Sequence, residues 1–421
     1  MSLNLPADSP TSTPLRTVPI HTSDRGLYKT CRRRWLWGSH LNRGLEPVQK
    51  AKPLWFGEAI HFAMKEFHGP SKYSDIIVAF LEYARLCKEE YPDRLPDDMP
   101  ELLELGKGML DHYMTWLETR DGLQTYVFNG VPQVEVTFEI ELPIDPELLA
   151  AAGIDRVVYR GTKDRVVYDP EYDALWVLDY KTAAVIETNH LNVDPQISSY
   201  LWAATAIYDK PIMGFIYQQH KKTTPKEPRI LKSGHVSVDK NQQTTFKKYA
   251  QAIKKTYGHY KNSGNPKHLE VLNMLATREN ETSDGFIRRD KVYRNEHYIQ
   301  ATGHKILLEV SEMVNPNTSM YPHEGRHCIM CPFMSACISI DDGSDYESEL
   351  NDERLYRVRS RASSEWEIIS TDNLGGILHS RKAVIQHDRS GKPYADAGTL
   401  QSTNSDSINA SNEEPSGNIY L

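Results

Sequence analysis

The sequence predicts an α/β fold: a mixed central sheet flanked by helices, with a large helical insertion. Three observations lead there. Residues 131–182 hold three consecutive segments with the period-two alternation of strands. Segments with helical periodicity lie on both sides of that block. The order runs helices, strands, helix, strands, helices, which is not a regular strand–helix–strand series.

Each element has its own signal. Residues 1–22 are rich in Pro, Ser and Thr and read as an irregular arm. A helix opens at Ser23 or Asp24, both good N-cap types, and runs to about Trp37. Leu54 to Phe67 is the next helix, with Ile60, Ala63, Met64 and Phe67 on one face. Two longer helices follow at about 73–91 and 99–119, divided by the proline-rich run 91–100. Together they place the insertion at about 70–120. Strands follow at 131–142, 155–169 and 173–182, the last two joined by the turn-like Asp169-Pro170-Glu171-Tyr172. The chain continues with a helix at 195–208, strands at 212–219 and 229–238, a basic helix at 240–262 and a long helix at 296–314. The globular body then spans 23–340, and 341–421 reads as an acidic, largely disordered tail, its last part rich in Ser, Asn and Gly.

Charge is distributed unevenly. The 421 residues carry a net charge of -8, but 341–421 hold 15 acids against 8 bases. Residues 210–268 hold 13 Lys and Arg against 2 acids. Such a block suits a phosphate backbone; Lys247 and Lys248 would then meet DNA, or else form the solvated face of a helix. No apolar run approaches the roughly 20 residues that span a bilayer. The start of the chain lacks the basic-then-apolar pattern of a secretory signal, so a cytoplasmic protein is expected.

The strand block also carries chemistry. Asp164 closes Gly161-Thr162-Lys163-Asp164, and Asp179 stands two residues before Lys181. Strand alternation puts Asp179 and Lys181 on one face, and a hairpin would bring Asp164 beside them. Paired carboxylates with oxygen donors suit a hard divalent ion such as Mg²⁺ or Mn²⁺, and a neighbouring lysine suits phosphodiester hydrolysis. A cross-strand salt bridge is the plainer alternative. His61 follows Gly57 by four residues on a helix, where it is a metal ligand or a satisfied core histidine. Gln196 and Tyr200 share a helix face four residues apart. Glu135 and Glu139, on the preceding strand, are weaker candidates as partners of the metal ligands.

Three of five cysteines cluster as Cys328, Cys331 and Cys337, and Cys31 is the candidate for a fourth ligand. Cys87 sits in a helical pattern as a small core residue. Soft sulfur ligation admits zinc or an iron–sulfur cluster, and His323 or His327 would complete a zinc site.

Gly57 with His61, Gly161 with Asp164, Asp179 with Lys181 and Gln196 with Tyr200, in that order, resemble the RecB-type branch of the PD-(D/E)XK nuclease superfamily, which includes CRISPR-associated and phage exonucleases. The resemblance implies a restriction-endonuclease-like core in which His61, Asp164, Asp179 and the Tyr180 carbonyl hold Mg²⁺ or Mn²⁺. Lys181 would be the catalytic lysine, with Gln196 and Tyr200 positioning it and the DNA. Lys163 stands where the superfamily's name places a proline. Cys31 with Cys328, Cys331 and Cys337 is similar to the AddB-type staple, which implies a 4Fe–4S cluster ahead of zinc. Arg32, Arg33 and Arg34 would then lie near DNA or form a surface helix.

The implied function is DNA exonuclease activity on ends or single strands, in recombination, repair, replication or CRISPR-type processing, in a bacterial or phage-infected cytoplasm. Trp202, Tyr217 and Tyr249 read as core residues ahead of stacking platforms for bases. The tail is a candidate surface for a protein partner. A non-catalytic DNA-binding module with a zinc or iron–sulfur clip is the rival reading.

Overall fold

A computed structural model describes residues 16–358, apart from short stretches at 49–51, 71–72, 74, 91–94, 121, 260–262 and 280–281. The expectations for residues 1–15 and for the tail beyond 358 lie outside the described residues. The chain enters through strand β1 (Thr17–His21), then α1 (Thr22–Thr30), α2 (Arg32–Gly38) and β2 (Leu45–Pro47). Three helices follow: α3 (Lys52–His68), α4 (Ile76–Glu90) and α5 (Met99–Arg120). Short strands β3 (Gln124–Thr125), β4 (Val127–Phe128) and β5 (Val131–Pro132) lead to β6 (Val134–Leu142) and α6 (Pro146–Ala152). The hairpin β7 (Arg156–Asp169) and β8 (Ala174–Ala183) precedes α7 (Pro195–Ile207) and β9 (Ile212–Lys221). A helical pair, α8 (Phe246–Tyr257) and α9 (Pro266–Glu279), comes before β10 (Ile287–Val292) and α10 (Glu296–Val314). The described chain ends with α11 (Met334–Asp342), α12 (Tyr346–Leu350) and β11 (Tyr356–Val358).

The central sheet is mixed and seven-stranded among the described residues, with the path β1-β7-β8-β9-β10 and with β3 and β6 also on β7. β6 and β8 run antiparallel to β7, as the hairpin pattern predicts, while β1 is parallel to β7 and β8 is parallel to β9. One core lies between the sheet and α7 and α10, built on Val157, Tyr159, Val177, Leu201, Trp202 and Ile306. A second lies on the other face under α3, α4 and α5, built on Phe56, Ile60, Phe80, Tyr113, Trp176 and Tyr180. The α/β expectation of a central mixed sheet flanked by helices therefore holds. Among the described residues no helix is long and apolar enough to cross a membrane.

Several expectations change. β1 falls inside the expected irregular arm: five residues with a central Pro19 give no alternation to read. A parallel edge strand tolerates that proline because its missing N–H need not serve the ladder. The expected helix 23–37 breaks at Cys31, whose backbone is extended at φ -162° and ψ 115°. The expected strand 229–238 is a tight reversal at Gly234 (φ 79°), with a single bridge from Ile230 to Val236. The basic helix is shorter than expected, capped by the Thr245 side chain and stopped by Gly258 at φ 84°. α9 and the charged strand β10 were not foreseen, and neither was order past residue 340. α12 and β11 carry the fold to Val358, where Leu350 and Tyr356 join Trp37, Leu45, Phe333 and Ala336 in a third small core.

Candidate metal and catalytic site

The site forms where β7 loses a partner. β6 occupies one edge of β7 across Val157–Arg165. On the other edge β1 pairs only with Arg156–Arg160, and β8 only with Arg165–Asp169. Residues 161–164 are thus left without a ladder on that edge. There the Tyr180 N–H donates to Asp164 Oδ2 at 2.8 Å, a carboxylate taking the place of a strand carbonyl. Gly161 is required at this opening: a Cβ there would lie 2.7 Å from the Phe138 ring and 3.1 Å from that of Tyr200.

Helix α3 brings His61 to the same point. Its Nδ1 lies 3.3 Å from Asp164 Oδ2 and 3.4 Å from Glu135 Oε1. Burial would lower the His61 pKa, but the adjoining carboxylates, Asp164 first, raise it to about 10. His61, Glu135 and Asp164 present donor atoms that all lie within 4.8 Å of one another, which suits a divalent ion. Glu135 reaches this set through a left-handed backbone, φ 51°, which is rare for a residue with a Cβ. Strand alternation flagged Glu135 only as a weak candidate, and nothing in the sequence announces that φ.

Asp179 sits next to this triad but pairs with the lysine. Lys181 Nζ is 2.7 Å from Asp179 Oδ2 and donates to Oδ1 at 3.0 Å. Burial pushes Asp179 up to about 6, against the pull of Lys181 and with the push of Asp164. Burial would lower Lys181, yet the charges of Asp179 and Asp164 hold it above the ordinary lysine range, so it stays cationic. Helix α7 supplies the third wall. Its Asp194 cap accepts from the Gln196 and Ile197 N–H groups, and Gln196 Nε2 donates to Tyr200 Oη at 3.3 Å. The expected residues His61, Asp164, Asp179, Tyr180, Lys181, Gln196 and Tyr200 are therefore brought to one place.

Lys163 points elsewhere. It is fully buried, with Nζ 4.6 Å from the centre of the Phe138 ring and 5.2 Å from that of Tyr208. Its ammonium has no hydrogen-bond partner among the described residues, and burial pushes its pKa down to about 7. An unfolded lysine near 10.5 takes up a proton across the window from about 7 to 10.5, so wild-type stability rises with pH there. The full displacement would correspond to about 5 kcal/mol, and the cation–π contacts, which favour the ammonium and raise that pKa, make the actual cost smaller. Lys163→Met should stabilise the protein by about 3 kcal/mol at pH 7, the gain shrinking toward pH 10.5. Urea unfolding at several pH values reads this directly; a Met variant less stable than wild type at pH 7 would contradict it.

The four cysteines also converge. Cys31 at the break between α1 and α2, Cys328 and Cys331 around a 3₁₀ turn, and Cys337 on α11 line one cavity of about 330 Å³, together with Arg33, Arg34, Trp37 and Phe333. Burial raises the Cys331 thiol, and Cys31 and Cys328 add to that. The four do not form a set within 4.8 Å; among the described residues the second such set is His21, Asp24 and His40.

Three of the basic candidates are engaged locally. Arg32 pairs with Glu312 and lies over the rings of Tyr28 and Tyr321. Arg33 donates to Cys337 Sγ at 3.1 Å, and Lys248 pairs with Glu227 at 2.7 Å. Lys247 is exposed. Trp202, Tyr217 and Tyr249 are buried, so stacking platforms are not found at these positions.

With the geometry in place, comparison with protein families matches residues 23–338 to the model of the PD-(D/E)XK nuclease superfamily. Curated proteins give no match.

Proposed function

The chain belongs to the PD-(D/E)XK nuclease superfamily, and on that footing we propose that it is a metal-dependent DNA exonuclease of the RecB-like branch, acting on DNA ends or single strands. The observation that carries the reading is the joint placement of the His61, Glu135 and Asp164 donors beside the Asp179–Lys181 pair at the break in β7. His61, Asp164 and Asp179 would hold Mg²⁺ or Mn²⁺, with Glu135 within reach of the same ion. The Tyr180 carbonyl joins them, because the N–H and C=O of a strand residue point to the same side. The ion, when bound, polarises the scissile phosphate and lowers the pKa of a bound water.

The chain's own groups do the rest. Lys181, kept cationic by its carboxylates, stands ready for the charge that builds on the phosphoryl oxygens. Tyr200 and Gln196 fix the lysine and the DNA strand from α7. Water attacks phosphorus and the 3′-oxygen leaves, which yields a 5′-phosphate and a 3′-hydroxyl. A 4Fe–4S cluster on Cys31, Cys328, Cys331 and Cys337 would tie the two ends of the domain together. The preference for a cluster over zinc rests on the resemblance of this one-plus-three cysteine spacing to the AddB-type staple; the cavity that the four cysteines line is where either group would sit.

The test uses end-labelled linear DNA and closed circular DNA, single- and double-stranded, with Mg²⁺ or Mn²⁺ and with chelator. Metal-dependent loss of linear strands with circles intact is the expected outcome. Cleaved circles would replace the exonuclease reading with an endonuclease. Intact DNA in every reaction would overturn the nuclease reading in favour of a binding module.

A further inference from the structure

Asp24 lies at the centre of a second group of metal donors, with no residue shared with the first. Its Oδ2 is 2.9 Å from His21 Nδ1 and 3.8 Å from His40 Nδ1. The two imidazole rings stand edge to face, 5.1 Å apart. All three side chains offer one donor atom each within 4.8 Å of the others. Each comes from a different segment: His21 ends β1, Asp24 lies in the first turn of α1, and His40 follows α2.

The tautomer of His40 is fixed by its other nitrogen. Nε2 lies 2.9 Å from the Pro19 carbonyl, which only accepts, so Nε2 carries the hydrogen. His40 Nδ1 then faces the Asp24 carboxylate. A metal-binding histidine usually donates its other ring N–H to a backbone carbonyl or a carboxylate, as His40 does to Pro19.

A helix cap accounts for part of this. The Asp24 carboxylate accepts from the His21 backbone N–H, as in a capping box. The cap has no use for His40, which comes from a separate segment and is held in place by Pro19.

We propose that His21, Asp24 and His40 form a second metal site, distinct from the nuclease centre, that takes a first-row transition ion, zinc in the first instance. Two nitrogens and one carboxylate oxygen suit such an ion, with water completing a tetrahedron. Hard ions such as Mg²⁺ and Ca²⁺ favour all-oxygen sets and are poor occupants. The bound ion would pin the end of β1 to α1 and to the turn after α2. It would thereby secure the strand whose last residue, His21, pairs with Arg160 at the rim of the β7 opening.

The experiment measures zinc binding to the intact protein by calorimetry and by metal analysis after desalting, with cobalt as a spectroscopic probe. Wild type should retain one zinc or cobalt per chain that His40→Ala and His21→Ala each lose, while His61→Ala keeps it. The cobalt spectrum should show ligand-field bands without the sulfur charge transfer that cysteine ligation would give. Circular dichroism melts establish that each variant is folded; if His40→Ala does not fold, His21→Ala decides, because His21 is the more exposed of the two. Unchanged stoichiometry and affinity in the folded variants, or loss of the ion in His61→Ala, would overturn the proposal. So would wild type that binds none, or a cobalt spectrum dominated by sulfur. None of these results depends on nuclease activity.

Discussion

Lys181→Ala should lower the rate of DNA hydrolysis at saturating Mg²⁺ by about 10²–10³-fold, the effect expected when one charged group that stabilises a transition state is removed. Manganese binding should survive, because Lys181 donates to Asp179 and is not itself a ligand. Asp164→Asn should behave differently. It removes the carboxylate that touches both His61 and the Tyr180 N–H, so calorimetry with Mn²⁺ should show the main binding event gone. The pH dependence has a definite sign. Asp179 takes up its proton near pH 6, and His61 must shed one to bind a metal, so apparent metal affinity should fall as pH drops from 8 through 6. A Lys181→Ala protein that retains more than about a tenth of the wild-type rate would remove the lysine from the chemistry.

The second large effect belongs to the cysteines. Cys331→Ser should abolish the brown colour and the broad absorbance near about 400 nm that anaerobically purified protein is expected to show. It should also lower the melting temperature steeply. A link between Cys31 and Cys328 closes a loop of about 300 residues, and by the chain-entropy relation for crosslinks that closure is worth about 5–6 kcal/mol. Such a loss is comparable to the whole stability of many domains, about 5–15 kcal/mol. Iron analysis should give about four irons per chain in wild type. A colourless wild-type protein with one zinc on its cysteines would overturn the cluster, and a Cys331→Ser protein as stable as wild type would overturn the staple.

Much of the site was legible because its residues lie at regular offsets on regular elements. Asp179 and Lys181 are two apart on a strand, and Gln196 and Tyr200 are four apart on a helix, so each pair shares a face whatever surrounds it. His61 stands at a buried turn of a helix whose apolar face is visible in the pattern. The parts that were not legible depend on irregular backbone or on partners far along the chain. Glu135 turns toward His61 only because its φ is positive. His40 meets Asp24 through a turn after α2 that has no periodicity. The arginines after Cys31 looked available for DNA until Glu312, Tyr321 and Cys337 were found beside Arg32 and Arg33.

By itself the sequence determined the α/β class and the three antiparallel strands that carry the two aspartates. These follow from local periodicity and composition, which survive any arrangement of the chain. Tertiary structure alone decided that β1 and β8 share one edge of β7 and leave residues 161–164 between them unpaired. It also decided that Lys163 turns into an aromatic pocket, and that the chain past residue 340 completes the cysteine-bearing layer. Those outcomes rest on contacts between segments tens to hundreds of residues apart or on single unusual dihedrals. Neither leaves a repeating signature in the order of the residues, because their stability comes from burial against distant partners rather than from neighbours in sequence.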